Sequence, residues 1–154
     1  MESNRKNAAE QHENVKYSNN HYIFYDNDKY VFDGDSNKIV IFHTDDLCAY
    51  IDLKSIKKEW GRGDNKEFRY KAVIATYWKD SDAVTEKMFY IMMKSPGYRS
   101  GDAPTFIQYS TDKKEWTMIT VKDQDKTAKC MYAAGKKIAE KEHLENIIAL
   151  FQAE

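Results

Sequence analysis

Residues 68–78 read "FRYKAVIATYW" and carry the longest strand pattern in the chain. Side chains of a strand point alternately to its two faces, so the even-numbered residues from Phe68 to Thr76 share one face. The odd-numbered residues from Arg69 to Tyr77 share the other. A second long pattern, "TEKMFYIMMKS" at 85–95, follows across the polar turn "KDSDAV". Two such runs joined by turn residues predict an antiparallel hairpin.

Shorter strand patterns lie on both sides of this hairpin. The runs at 21–26, 29–34, 37–44 and 47–53 precede it, and those at 105–110 and 115–122 follow it. Together the patterns predict about eight strands. The segment "KSIKKEWGRGDNKE" at 54–67 has two glycines and a cluster of charge, which predicts an exposed loop.

The acidic stretch "DNDKYVFDGDSN" at 26–37 resembles a calcium loop in composition but not in spacing. Such a loop needs oxygen ligands at positions 1, 3 and 5, glycine at 6 and glutamate at 12. Counting from Asp26 puts Val31 at the glycine position, and counting from Asp33 puts Lys38 there. The aspartates are therefore predicted to serve turns between strands.

The C-terminal segment from Asp123 onward is rich in Ala, Lys, Glu and Leu, which favour helix. Asp123 or Asp125 is the predicted N-cap. The apolar spacing changes phase near Lys141, which predicts a bend or two helices. After that point one buried stripe is expected, formed by Leu144, Ile147, Ile148 and Phe151.

These elements predict an α+β fold, in which a curved antiparallel sheet or small barrel of about 7 to 8 strands packs on a C-terminal helix. Residues 1–20 are polar and predict a disordered tail. Residues 21–152 predict a single domain, as expected for 154 residues.

Charge and apolar content limit the classes of partner. With 24 basic and 25 acidic residues the formal charge is −1, which argues against nucleic acid. No run is long and apolar enough to span a membrane. The N-terminal residues lack the apolar core of a signal peptide, and their composition fits both a cytosolic tail and a processed export product. Cys48 and Cys130 could form a disulfide or remain two buried thiols.

No motif for catalysis or for a cofactor occurs. The four histidines His12, His21, His43 and His143 lack the spacing that places two imidazoles on one metal. Cys48 lies five residues from His43, but closeness in sequence alone does not make a nucleophile and base pair. The sequence therefore predicts a protein without catalytic residues, cofactor or metal. We expect a binding protein with a protein partner.

Two loops supply the predicted partner contacts. "GRGDN" at 61–65 contains Arg62 and Asp64 in an Arg-Gly-Asp triplet, which cell-surface receptors can recognise on a loop tip. The second loop, "YRSGD" at 98–102, presents Tyr98 and Arg99.

The stretch "IFHTDDLCAYIDLKSIKKE" at 41–59, followed by "FRYKAVIATYW", resembles the surface-adhesin protein E-like family of small bacterial secreted proteins. The positions that carry the resemblance are Tyr50, Ile51, Asp52, Ser55, Ile56 and Trp78. The resemblance implies an exported β-sheet protein that binds a host or envelope partner and catalyses nothing. The chain departs from the family in its long C-terminal helix and in having no lipobox cysteine.

The order of elements is also similar to that of pleckstrin-homology-like barrels, in which a C-terminal helix closes a sheet of seven or eight strands. That similarity implies a cytosolic interaction module. A small inhibitor or immunity-type protein is a further alternative, because such proteins are also compact and rich in surface charge.

Overall fold

The computed structural model describes residues 15–16, 21–26, 29–62, 67–94, 107–119, 125–144, 147–148 and 151. They form an α+β fold of mostly antiparallel strands and a C-terminal helix, as predicted. The strands are β1 (Val15–Lys16), β2 (Tyr22–Asp26), β3 (Lys29–Phe32), β4 (Lys38–His43), β5 (Leu47–Asp52), β6 (Lys57–Arg62), β7 (Glu67–Trp78), β8 (Ala83–Lys94), β9 (Ile107–Ser110) and β10 (Thr117–Ile119). A 3₁₀ turn spans Leu53–Ser55, and helix α1 spans Lys126–Lys141.

The chain divides into two compact units. The single domain expected over 21–152 stays a prediction. The first unit takes Met1–Lys54 and Ala75–Glu86, and the second takes Ser55–Ile74 and Lys87–Glu154. Strands β7 and β8 therefore contribute residues to both units.

In the first unit, β1 to β5 follow one another as neighbours, and β5 is hydrogen-bonded to β7. Strands β4 and β5 pair with a bulge between Val40 and Phe42. Apolar and aromatic side chains fill the core, and they are Ile23, Phe32, Cys48, Tyr50, Ala75 and Tyr77. Phe32 stacks on Tyr50 with ring centroids 4.8 Å apart, a separation at which aromatic pairs attract beyond simple burial.

In the second unit, β7, β8, β9 and β10 are successive neighbours, and β6 pairs with β7. Helix α1 packs on β9, where Gly135 faces Ile107. A methyl group at Gly135 would clash with the Ile107 side chain, so glycine permits this close approach of helix and sheet.

Strand β7 shows why a simple two-face description fails. Tyr70, Ala72 and Ile74 are buried in the second unit, whereas Ala75 and Tyr77 are buried in the first. The buried positions thus change from even to odd numbers between Ile74 and Ala75.

Strand β6 corrects the sequence interpretation, which predicted an exposed loop over 54–67. Lys57, Lys58, Trp60, Gly61 and Arg62 pair with β7. The composition is loop-like, but Ile56 just before the strand is buried. Strand formation here depends on a partner that follows in the chain. With β1, β6 brings the eight predicted strands to ten.

Helix α1 begins where expected. Asp125 is the N-cap, and its carboxylate accepts a hydrogen bond from the Ala128 N–H at 3.1 Å. The predicted interruption near Lys141 is also confirmed: α1 ends there, His143 has φ 57°, and helical backbone resumes by Ile147.

The stripe predicted after this break is only partly correct. Ile147 and Phe151 are buried, and the Phe151 ring meets Tyr132 edge-on with centroids 4.9 Å apart. Leu144 and Ile148 are half-buried. Among the described residues, no helix has the length and apolar content to cross a membrane.

Candidate functional site

The predicted contact residues fall largely outside the described structure. Asp64, Tyr98 and Arg99 lie outside the described residues. The backbone of Arg62 is the last position of β6, directly opposite Glu67. Their role in partner contact stays a prediction.

The second unit contains a cluster of aromatic rings and cations that the sequence interpretation did not assemble. We call it the aromatic–cationic face, and it consists of Trp60, Arg69, Tyr90, Lys113 and Trp116. The Arg69 guanidinium carbon lies 5.4 Å from the Trp60 ring centroid and 5.6 Å from that of Trp116. The Lys113 ammonium lies 4.8 Å from the Tyr90 centroid. Cations at such distances are attracted by the negative face of the ring.

Glu59 joins the two cations of this face. Its Oε1 atom lies 3.0 Å from Arg69 Nε, and its Oε2 atom lies 3.1 Å from Lys113 Nζ. Arg69 Nε and Glu59 Oε1 are buried without a hydrogen bond inside the described part of the chain, despite their short separation. The contact is an ion pair in which the Arg69 Nε–H is not aimed at the carboxylate.

A bulge in β6 accounts for the position of Glu59. The register with β7 shifts between Lys58 and Trp60, so Glu59 is the extra residue on the bulged strand. Bulges redirect side chains at functional edges of sheets. Trp60 then lies directly opposite Arg69.

The turn between β9 and β10 holds Lys113 in place. Lys113 has φ 66°, a conformation that non-glycine residues rarely adopt. Ser110 Oγ accepts a hydrogen bond from the Lys113 N–H at 2.9 Å. Asp112 accepts from the N–H groups of Glu115 and Lys114, and these hydrogen bonds lower the pKa of the Asp112 carboxyl. Hydrogen bonds within the turn therefore stabilise its conformation.

The aromatic–cationic face lies on the side of the sheet opposite α1. The Tyr70 hydroxyl donates to Glu142, the C-cap of α1, at 3.4 Å. Arg69 is adjacent to Tyr70 in β7, so its side chain points to the other face. Met118 lies on the same side of the sheet. It is directly opposite Gln108, which is directly opposite Met92, and Met92 is two residues from Tyr90 in β8. Met118 is 60% exposed.

Two lysines lie on the same side of the sheet. Lys57 of β6 is directly opposite Lys71 of β7, and Lys71 is two residues from Arg69. Lys57 is exposed and Lys71 is half-buried. Like charges directly opposite one another in a sheet are destabilising.

The first unit contains a second polar cluster around His21. His21 Nδ1 lies 2.7 Å from Asp33 Oδ2, and Nε2 lies 3.9 Å from Asp82 Oδ1. The Tyr77 hydroxyl donates to Asp82 Oδ1 at 2.6 Å, and the imidazole packs against both the Phe32 and the Tyr77 rings. Both aspartates have positive φ, 56° and 53°. The cluster therefore links the turns that contain Asp33 and Asp82 to His21, just before β2.

Metal and thiol chemistry find no support in the described residues. They contain no group of three or more His, Cys, Asp or Glu side chains able to hold a metal ion. His43 and Cys48 are directly opposite in β4 and β5, but Cys48 is fully buried and no substrate could reach it. The two cysteines are thiols and form no disulfide.

Comparison with known proteins returned no match to a family model, to a curated protein or to a solved structure. The resemblance to surface-adhesin protein E-like proteins therefore stays a prediction.

Two signals in the sequence point to the aromatic–cationic face. Trp60 is a large aromatic residue inside an otherwise charged stretch, and Trp116 follows directly on the charged turn "TDKKE". Each alone fits a solvated loop. Only the pairing of β6 with β7 places Trp60 next to Arg69.

Proposed function

We propose that this chain is a non-enzymatic binding protein that contacts a protein partner through the aromatic–cationic face. The observation that carries the proposal is the Arg69 guanidinium, which lies over the rings of both Trp60 and Trp116 and is paired with Glu59. Trp, Tyr and Arg are the residues that dominate the binding energy of protein interfaces. The exposed Met118 beside them is a side chain that adapts to a partner surface.

Preorganisation supports the same proposal. The Arg69 side chain is 21% exposed and that of Glu59 is 14% exposed, so the ion pair is mostly buried while part of the Arg69 side chain stays accessible. A side chain already fixed in its binding geometry loses little conformational entropy when a partner arrives. The resemblance to protein E-like proteins implies the same class of function.

The test uses Trp116→Ala. A random peptide display library is selected on the immobilised wild-type chain, and the recovered peptides are measured by fluorescence anisotropy against wild type and variant. We expect Trp116→Ala to weaken binding about tenfold or more, because truncated hot-spot residues cost on the order of 2 kcal/mol.

Lys129→Ala on the exposed side of α1 is the matched control, and it should bind as wild type does. Trp116→Phe keeps an aromatic ring and should retain most of the affinity. Circular dichroism verifies that each variant is folded. Recovery of no peptide, or of peptides that bind Trp116→Ala as tightly as wild type, would refute the proposal.

A further inference from the structure

We propose that the partner segment bound by the aromatic–cationic face is acidic, and that Lys57 and Lys71 receive one of its carboxylates. The inference rests on the proposed function and specifies its partner. It starts from the two lysines directly opposite one another in β6 and β7. Side chains in this relation have Cβ atoms about 4.5–5.5 Å apart, so two ammonium groups can approach one carboxylate.

No acidic side chain in the described residues serves as a counter-ion for these two lysines. Neither lysine forms an ion pair there. Glu59 already contacts Arg69 and Lys113. Glu67 lies on the same face of β7 but is opposite Arg62. It is four residues from Lys71, or roughly 13 Å along the strand.

Strand geometry makes this positive region continuous. Lys71 and Arg69 are alternate residues of β7, so both side chains emerge on the face that also presents Trp60. The chain as a whole has a formal charge of −1, so the positive region arises from the placement of residues and not from composition. An acidic segment complements it, and an aromatic side chain of that segment could pack beside Tyr90 and Met118.

The rings favour a protein segment over a single-stranded nucleic acid. Surfaces that bind single strands stack successive bases on accessible aromatic faces. Here Trp60 and Trp116 each turn one ring face to the Arg69 guanidinium. The cation covers a face of each ring, and a guanidinium on such a surface suits pairing with a carboxylate.

The test measures three probes against the full chain by fluorescence anisotropy. The first is a short peptide in which Asp and Glu alternate with Phe and Tyr, and the second replaces its acids with Asn and Gln. The third is a thymidine oligonucleotide. We expect the acidic peptide to bind at least about tenfold more tightly than the amide peptide, and its affinity to fall with added salt.

The double variant Lys57→Gln/Lys71→Gln tests the role of the two lysines. Lys129→Gln, which also removes a surface lysine charge, is the control. The double variant should weaken acidic-peptide binding about tenfold or more and leave binding of the amide peptide unchanged. Its stability should not fall, because the substitution removes a repulsion.

Three outcomes would overturn the inference. If Trp116→Ala abolishes binding of library peptides while the double lysine variant binds the acidic peptide as wild type does, the face is the interface and the lysine assignment is wrong. If the oligonucleotide binds more tightly than the acidic peptide and is lost in the double variant, the partner is a nucleic acid. If Trp116→Ala affects no probe, the proposed function fails as well.

Discussion

Aspartate carboxylates at single positions hold the backbone of several turns. Asp33 accepts from the Tyr22 N–H at 3.0 Å, Asp35 from the Asn37 N–H at 2.9 Å, and Asp52 from the Lys54 N–H at 3.0 Å. The bonds of Asp35 and Asp52 are Asx-type bonds, which substitute for a backbone turn, whereas that of Asp33 ties its turn to the start of β2. The acidic residues at 33–37 therefore act as turn residues, as their spacing predicts.

Tyrosine hydroxyls are the second residue-scale feature. Tyr70 is buried, and its pKa is raised to about 12. Desolvation is the larger cause, and the nearby Glu142 carboxylate is the smaller one. Tyr50 in the first unit has its pKa raised to about 12 by burial and by Glu86. Both phenols therefore favour the neutral form when the chain is folded.

We predict an alkaline loss of stability that Tyr70→Phe reduces. The folded pKa lies above the unfolded value of 10.0, so the stabilising contribution is complete below pH 10 and is lost as pH rises toward about 12. Urea unfolding at about pH 8 and about pH 11 should show a smaller decrease in Tyr70→Phe than in wild type.

Tyr22→Phe is the control for this experiment, because the Tyr22 ring is exposed. It should lose as much stability as wild type over the same pH interval. An equal decrease in wild type and Tyr70→Phe would show that Tyr70 does not contribute to the alkaline transition. At about pH 8, Tyr70→Phe itself should cost about 1 kcal/mol or less through the lost hydrogen bond.

At the scale of elements, sequence patterns predict what depends on neighbours in the chain. Strands β2 to β5 and β7 to β10 match the predicted runs because alternating apolar residues and turn residues are local signals. The start of α1 follows from one N-cap carboxylate. Local signals also placed the break after Lys141.

Elements and sites that depend on a pairing partner could not be predicted from the pattern of their own residues. The residues of β6 are mostly charged and form a strand because β7 pairs with them. Trp60 meets Arg69 through the register of β6 with β7, and Trp116, which is distant from both in sequence, joins them after the β9–β10 turn. The predicted contact residues Arg62, Asp64, Tyr98 and Arg99 follow from loop composition, which is a local signal, and they stay a prediction.

The C-terminal helical segment gives a prediction at this scale. Ile147 is fully buried and Ile148 is half-buried, although the apolar spacing predicts both in one buried stripe. We expect Ile147→Ala to lower the free energy of unfolding by about 2–5 kcal/mol, since it removes packed methyl groups and leaves a cavity. Ile148→Ala should cost about half as much or less.

Urea denaturation followed by circular dichroism measures both values. Lys136→Ala, on the exposed side of α1, is the control and should change stability by less than about 0.5 kcal/mol. Equal losses for Ile147→Ala and Ile148→Ala would contradict the observed burial.

On the scale of the whole molecule, neither compact unit is a continuous length of chain. Each unit takes two segments, and β7 and β8 pass through both. Opening one unit would release the ends of strands on which the other depends. We therefore expect the chain to unfold as one cooperative unit, as small proteins usually do.

The two buried thiols allow this prediction to be tested without mutation. Cys48 belongs to the first unit and Cys130 to the second, and burial raises the pKa of the Cys130 thiol to about 12. Alkylation requires the thiolate and therefore requires opening of the structure. In increasing urea, the rates of iodoacetamide labelling at both sites, measured by mass spectrometry, should give the same free energy of opening.

Labelling of the fully unfolded chain supplies the intrinsic reactivity of each thiol and serves as the reference. If Cys48 reacts through an opening that needs much less free energy than that of Cys130, the first unit opens independently, and the expectation of a single transition is wrong.

The change of buried positions between Ile74 and Ala75 limits how this protein can vary during evolution. Replacing one apolar residue of β7 by another still places an apolar side chain in the core of each unit. Inserting or deleting a single residue within the strand would turn the buried set of one unit toward solvent. We therefore expect descendants of this sequence to vary in the side chains of β7 and to keep its residue count.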